Sequence, residues 1–235
     1  MKVRHFIALV SCFSLASSAV ADEAPLLSLS KGDRWEYLVT VEAPHGAKMP
    51  GGSDVSVKKT ADGVRATFKK ARVYLGKVKP EEDGEEFDTF QMVRAGKIVE
   101  FEFSDYRKDA IYALGSKDAT KKDSKVVLLG KPLLVYSAAN KPGDQWEIKS
   151  GGKGKVPAFT RKFRIFGEEE VRVPAGTFQA VRVVMTGQSG PTEIKRTFWF
   201  AKGTGFVKEE KTYYSANKRL IHQVMELTKM TKGGE

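Results

Sequence analysis

The chain has 235 residues, 41% of them hydrophobic and 10% aromatic, which is enough to bury a core and excludes an intrinsically disordered polypeptide. Its one cysteine, Cys12, excludes a disulfide framework and a cysteine-rich metal site. Forty Lys and Arg against 29 Asp and Glu give a formal charge of +11, which in an exported protein favours anionic partners.

Lys2, Arg4 and His5 form a basic start, Phe6 to Ala16 an apolar run, and Ala19-Val20-Ala21 an A-x-A cleavage site. Residues 1–21 therefore read as a signal peptide, with Asp22 as the mature N-terminus. The run is too short to cross a membrane, which takes about 20 residues, and no other segment is long and apolar enough. Leu9-Val10-Ser11-Cys12 offers a competing lipobox, which is disfavoured because hydrophobic sequence continues past Cys12. The expected product is periplasmic or extracellular, unanchored, cysteine-free, and lowered to +9 by the loss of Lys2 and Arg4.

Period-two alternation dominates the mature chain. Trp35, Tyr37, Val39 and Val41 share one face of a strand; Val99, Phe101 and Phe103 oppose Glu100 and Glu102; Phe163 and Ile165 oppose Lys162 and Arg164. Further strands are predicted at 55–60, 64–75, 87–94, 126–129, 168–173, 178–186, 193–200 and 206–214. Asp105 to Leu114 is read as a short turn or helix; Leu220 to Leu227 fits a helix through Leu220, Ile221, Val224 and Leu227 or a last strand through Ile221, Met225 and Leu227, with the strand preferred. Ala43 to Asp54 and Lys149 to Lys155 are Gly-rich loops. Val173-Pro174-Ala175-Gly176 and Gly203-Thr204-Gly205 are hairpin turns, with Pro placed for a type I turn and Gly where φ turns positive.

The phrase Gly-Asp-x-Trp-Glu occurs twice, at Gly32-Asp33-Arg34-Trp35-Glu36 and Gly143-Asp144-Gln145-Trp146-Glu147, 111 positions apart. Thr89 to Arg94 also echoes Thr177 to Arg182, at an offset of 88. Unequal offsets leave duplication and coincidence both open. The predicted fold is all-β with minor α: one domain over 22–235, a mostly antiparallel sheet curled into a half-barrel or barrel. Two loosely repeated halves would span about 26–130 and 131–230.

Four motifs give the chain a resemblance. They are Gly32-Asp33-Arg34-Trp35; Pro132-Leu133 followed by Gly143-Asp144-Gln145-Trp146; Val171-Arg172-Val173-Pro174-Ala175-Gly176-Thr177-Phe178; and Trp199-Phe200-Ala201-Lys202-Gly203-Thr204-Gly205-Phe206-Val207-Lys208. In these the chain resembles a broad group of bacterial exported domains, TapB-like proteins among them. The resemblance implies a single antiparallel β domain in the cell envelope and no particular activity. It marks Trp35, Trp146, Pro174, Gly176, Phe178, Trp199 and Gly205 as a fold signature, and leaves 43–130 without a motif.

No catalytic set emerges. The mature chain has two histidines, His45 and His222, too few for a zinc cluster. Glu81 to Glu86 with Asp88 lacks the order of a calcium loop, and Glu168 to Glu170 reads as a charged strand surface. Gly187-Gln188-Ser189-Gly190 is not a nucleophile elbow, and Gly151 to Lys155 is not a phosphate loop. Neither cofactor nor metal is expected, and the lysines are scattered without the aromatic interleaving of a nucleic-acid platform. In Thr197-Phe198-Trp199-Phe200 both faces are apolar, so the aromatics either fill a core or line a cavity. The expected function is a non-catalytic envelope protein holding an amphiphilic ligand, a lipid or other envelope component, in a concave apolar face. The alternatives are a polyanion-binding or scaffold module acting through its basic surface and, more weakly, a hydrolase of unfamiliar design. No ligand-binding residue is assigned.

Overall fold

A computed structural model describes residues 25–81, 84–151 and 158–234. The leader with Ala19, Ala21, Asp22 and Cys12 lies outside the described residues, as does most of the glycine loop at 152–157.

Among the described residues thirteen strands run in order: β1 (Arg34–Ala43), β2 (Ser56–Thr60), β3 (Gly63–Val78), β4 (Phe87–Arg94), β5 (Lys97–Tyr106), β6 (Ala110–Asp118), β7 (Val127–Ser137), β8 (Gln145–Ser150), β9 (Phe159–Val173), β10 (Gly176–Ser189), β11 (Thr192–Ala201), β12 (Gly205–Ser215) and β13 (Lys218–Thr231). All described pairings are antiparallel. Twelve strands form one path, β7-β6-β5-β4-β3-β1-β13-β12-β11-β10-β9-β8, while β2 pairs the free flank of β3. The sheet is nearly closed into a barrel, with one seam between β7 and β8. Curling protects the edges of the twelve-strand path except the two at that seam; the short, exposed β2, with Lys58 and Lys59, keeps an open outer edge.

The described residues contain no helix. The segment read as a short turn or helix at 105–114 holds the tight turn at 107–109 that joins β5 to β6, where Arg107 N–H donates to the Ala110 carbonyl at 2.8 Å, and no helix. Its local pattern yields to tertiary context, because Ala110 and Ile111 are buried as β6 strand residues.

One end of the barrel is solid. Trp35, Tyr37, Tyr74, Phe90, Phe163, Phe198 and Phe200 are almost wholly buried and pack ring against ring, for example Tyr74 on Phe90 at 5.1 Å. The aromatic strands therefore make a filled core. Three devices seal it. The N-terminal strap puts Leu26 and Leu27 into the core, with Leu26 N–H donating to Lys108 O and Leu26 O accepting from Gly203 N–H. The Pro174-Ala175 turn crosses over to β13, where Ala175 N–H reaches Leu227 O at 2.9 Å. The Trp35 indole donates to Thr204 O.

The two Gly-Asp phrases build the same turn. Gly32 and Gly143 have φ of 92° and 96°, the left-handed region that glycine enters without steric penalty. Each donates its N–H to the neighbouring strand, to Tyr74 O and Ile165 O, both at 2.8 Å. Each following Asp accepts from the backbone three residues back, Asp33 from Ser30 N–H at 3.0 Å and Asp144 from Lys141 N–H at 2.8 Å. Trp35 is buried, while Trp146 at the seam is half-buried.

Candidate functional site

Partners across an antiparallel ladder share a face, so the register shows what points inward. One inward row runs Gln223, Lys211, Arg196, Met185, Phe163, Trp146. The next runs Tyr213, Ile194, Gly187, Arg161, Ile148. Across the lumen, Lys70 and Arg72 of β3 and Glu100 and Glu102 of β5 share the inward face with buried Tyr37 and Phe90. Away from the aromatic plug, then, the interior is charged.

This corrects the reading of β5. Glu100 and Glu102, expected to face solvent, point inward, whereas Phe103 is buried on the outer face against Phe87 at 6.3 Å. Both faces of β5 are covered, so alternation alone gave the wrong side. The available signal was a shared spacing: ionisable residues two apart, Lys70 and Arg72, Glu100 and Glu102, Glu209 and Lys211, on three different strands.

The charges are arranged in partnered sets. The Arg72 guanidinium lies over the Phe90 ring at 3.4 Å, and bonds Glu102 Oε2 at 3.0 Å and the Tyr106 hydroxyl at 3.1 Å. Burial alone would favour its neutral form; the Tyr106 phenol and Glu102 outweigh that and hold its pKa above the usual arginine value. Arg196 bonds Glu209 at 2.8 Å, and Lys211 pairs with the same carboxylate at 3.3 Å. Burial would raise the Glu209 pKa, but Arg196 and Lys211 hold it down at about 2. Glu100 is displaced the other way, upward, by burial first and then by the Glu102 charge. Glu102 also acts on Arg196, and Lys211 on Glu100, so the two sides of the barrel face each other across the lumen. Arg196 keeps 32% of its side chain in contact with solvent, so water reaches this space.

The loop at 44–55 folds over part of the opening. Met49 and Val55 pack on Val39, Val41 and Ala66, and Arg94 ties the loop down through Asp54 at 2.8 Å.

At the seam the sheet is locally broken. The β6–β7 register jumps between Ala113/Leu133 and Gly115/Leu128, leaving Leu129 to Pro132 out of the ladder. Pro132, with no N–H to give, is tolerated there because β7 is an edge strand. The resulting cavity, about 220 Å³, is lined by Leu129, Leu133, Ile148 and Phe159, with Lys131 and Ser150 at its polar side. Ile148 stands opposite Arg161 in the β8–β9 ladder, so the cavity adjoins the charged lumen.

Among the signature residues, Trp35, Trp199 and Gly205 are buried; Phe178 and Trp146 are half-buried against the core; Pro174 and Gly176 are exposed in their turn. They are spread over the fold and do not converge on one site. His45 lies 3.4 Å from Ala61 O on an exposed loop, while His222 meets the Thr212 hydroxyl on the outer face. Glu169 accepts from the Trp199 indole at 2.7 Å and pairs with Arg182. Among the described residues, no three His, Cys, Asp or Glu stand together as metal ligands.

No family model and no curated protein matches the chain. Two crystal structures are similar in outline: a protein described as exported, with a YmcC-like fold, from Bacteroides fragilis (TM-score 0.48, 16% identity, 89% of this chain and 100% of that one), and one described as a lipoprotein from Parabacteroides distasonis (TM-score 0.31, 13% identity, the same coverage).

Proposed function

We propose that this chain is an exported, non-catalytic binding protein that holds an amphiphilic ligand at its seam, apolar part in the cavity and polar part toward the charged lumen. The observation that carries this reading is the cavity itself: apolar walls from Leu129, Leu133, Ile148 and Phe159 opening beside ionised side chains. At about 220 Å³ it is smaller than the pockets that enclose a whole drug-sized molecule. It suits one chain or ring of a larger amphiphile. At the other end of the barrel Trp35, Phe90, Phe198 and Phe200 are packed as a filled core. Surface polyanion binding is less favoured, because Lys121, Lys149, Lys162 and Lys208 are engaged with carboxylates.

Export rests on the leader at 1–21. Protein produced with its own leader is expected in the periplasm, starting at Asp22; a lipid-modified start at Cys12 would replace the unanchored form by an anchored one. For the ligand, native mass spectrometry of the periplasmic protein should reveal a bound amphiphile that organic solvent extracts. Ile148→Trp, which fills the cavity, should abolish its retention. Recovery of empty protein, with no thermal shift from octyl amphiphiles, overturns the reading.

A further inference from the structure

Arg161 differs from the other arginines of the lumen. Arg72 has Glu102 at 3.0 Å and Arg196 has Glu209 at 2.8 Å. Arg161 has no carboxylate within ion-pair distance among the described residues. Its neighbour is an aromatic face, the Phe159 ring, 4.5 Å from the guanidinium carbon. Folded proteins generally pair a charge that they withdraw from water, so a half-buried arginine whose described neighbour is a ring and not a carboxylate has N–H donors to offer an anion. Nearby groups sharpen the point. Burial first, and then the positive charge of Arg196, lower the pKa of Arg161, while the Tyr213 phenol opposes them. Two guanidinium groups thus repel each other on one wall of the lumen, on either side of β10, with one carboxylate, Glu209, committed to one of them. Gly187, opposite Arg161 in the ladder, keeps the space: a Cβ there would come within 3.3 Å of Arg161 Cγ.

We infer that Arg161, with Arg196 beside it, forms an oxyanion subsite at the lumen side of the seam cavity, so that the ligand carries a compact anionic headgroup such as phosphate, sulfate or carboxylate. The inference rests on the seam-cavity reading, since Phe159 belongs to both: its ring walls the cavity and carries the Arg161 guanidinium. An anion at this point relieves the repulsion between the arginines and accepts the planar fork of N–H donors that Arg161 offers. Its apolar chain then runs between Ile148 and Leu133.

Calorimetric titration of the full mature chain with octyl phosphate, octyl glucoside and inorganic phosphate tests this, using wild type, Arg161→Gln, Arg161→Lys and Ile148→Trp. Octyl phosphate should bind more tightly than inorganic phosphate. Arg161→Gln should weaken it roughly ten- to a hundredfold, the range for a charge-assisted hydrogen bond, and leave octyl glucoside unaffected. Arg161→Lys should keep most of the affinity. If Arg161→Gln does not fold, the salt dependence of the wild type replaces it, with octyl phosphate weakening steeply and octyl glucoside not. Equal binding of octyl phosphate by wild type and Arg161→Gln, or no salt dependence, overturns the subsite while the cavity reading stands. Inorganic phosphate that binds as tightly as octyl phosphate, needs Arg161 and ignores Ile148→Trp would keep the subsite, assign it to a free oxyanion, and overturn the cavity reading. No binding of any probe overturns both.

Discussion

The Trp146 indole donates a 3.1 Å hydrogen bond to the Leu134 carbonyl, tying β8 to β7 across the seam where no backbone ladder runs. The same ring stacks on Phe163, with centroids 5.0 Å apart and planes 2° from parallel. The first interaction joins the two sheet edges; the second anchors β8 to β9.

Substitutions at Trp146 separate the two. Trp146→Phe keeps a ring on Phe163 and loses the donor, so stability should fall by about 1 kcal/mol, the worth of one hydrogen bond. Amide exchange should quicken along β7 and β8 specifically. Trp146→Ala also removes the stack and should cost about 3 kcal/mol. Urea midpoints and residue-resolved exchange read both, and an unchanged midpoint in Trp146→Phe would show that the seam bond contributes nothing.

Arg72 is 8% exposed and holds three partners, Phe90, Glu102 and Tyr106. Arg72→Met keeps much of the volume but strands Glu102. Because Glu102 is 34% exposed, water offsets part of the loss, and the cost should be roughly 2 kcal/mol, below that of breaking a fully buried pair. Arg72→Met with Glu102→Gln should recover part of it. A double-mutant cycle with no coupling between the two residues would refute the pairing as a stabilising interaction.

The two lumen glutamates predict opposite pH behaviour. The folded-state pKa of Glu209, about 2, lies below its ordinary 4.5. Its stabilisation is therefore present above pH about 4.5, on the order of 3 kcal/mol, and is lost as pH falls from there toward about 2. Glu209→Gln should flatten that acid limb, while lowering stability at neutral pH by leaving Arg196 without its carboxylate. Glu100 has a folded pKa above its ordinary value, so it withdraws stability as pH rises from the unfolded pKa through the folded one. Glu100→Gln should therefore stabilise the protein at pH 7 and have little effect below pH about 4. Denaturant unfolding of both variants across the acid range decides; a destabilised Glu100→Gln at pH 7 would contradict the assignment.

The paired glycines offer a further comparison. A Cβ at Gly143 meets no atom within 4 Å, whereas one at Gly32 would lie 3.3 Å from Gly233 Cα. Gly143→Ala should cost only the positive-φ penalty, about 1 kcal/mol. Gly32→Ala should cost more, because the C-terminal segment must also shift from Asp33, whose carboxylate it engages through Gly233 N–H and Lys232. Equal losses in thermal unfolding would show that the tail contact is negligible.

Much of this fold was legible in the chain. Alternation at Trp35, Tyr37, Val39 and Val41, and at Phe163 and Ile165, marks strands because one covered face demands apolar residues at every second position. The Gly-Asp phrases and the Pro174 turn mark strand starts and reversals through the conformations that only a few residues adopt cheaply. The candidate site was much less legible. Residues 126–129 read as an ordinary strand; only the pairing with β6 shows that Leu129 to Pro132 leaves the ladder and opens a cavity against Ile148 and Phe159.

Local composition and spacing were enough to mark an antiparallel β protein with aromatic strand faces. Closure of the sheet was needed to settle which face of β5 looks inward, that the aromatics fill one end of the barrel, and that among the described residues Arg72 and Arg196 find acids while Arg161 does not. The reason is physical. Alternation shows that a strand has two faces, but the curl of the sheet decides which face meets the lumen, and charges from strands far apart in sequence become neighbours only when the barrel comes round to its seam.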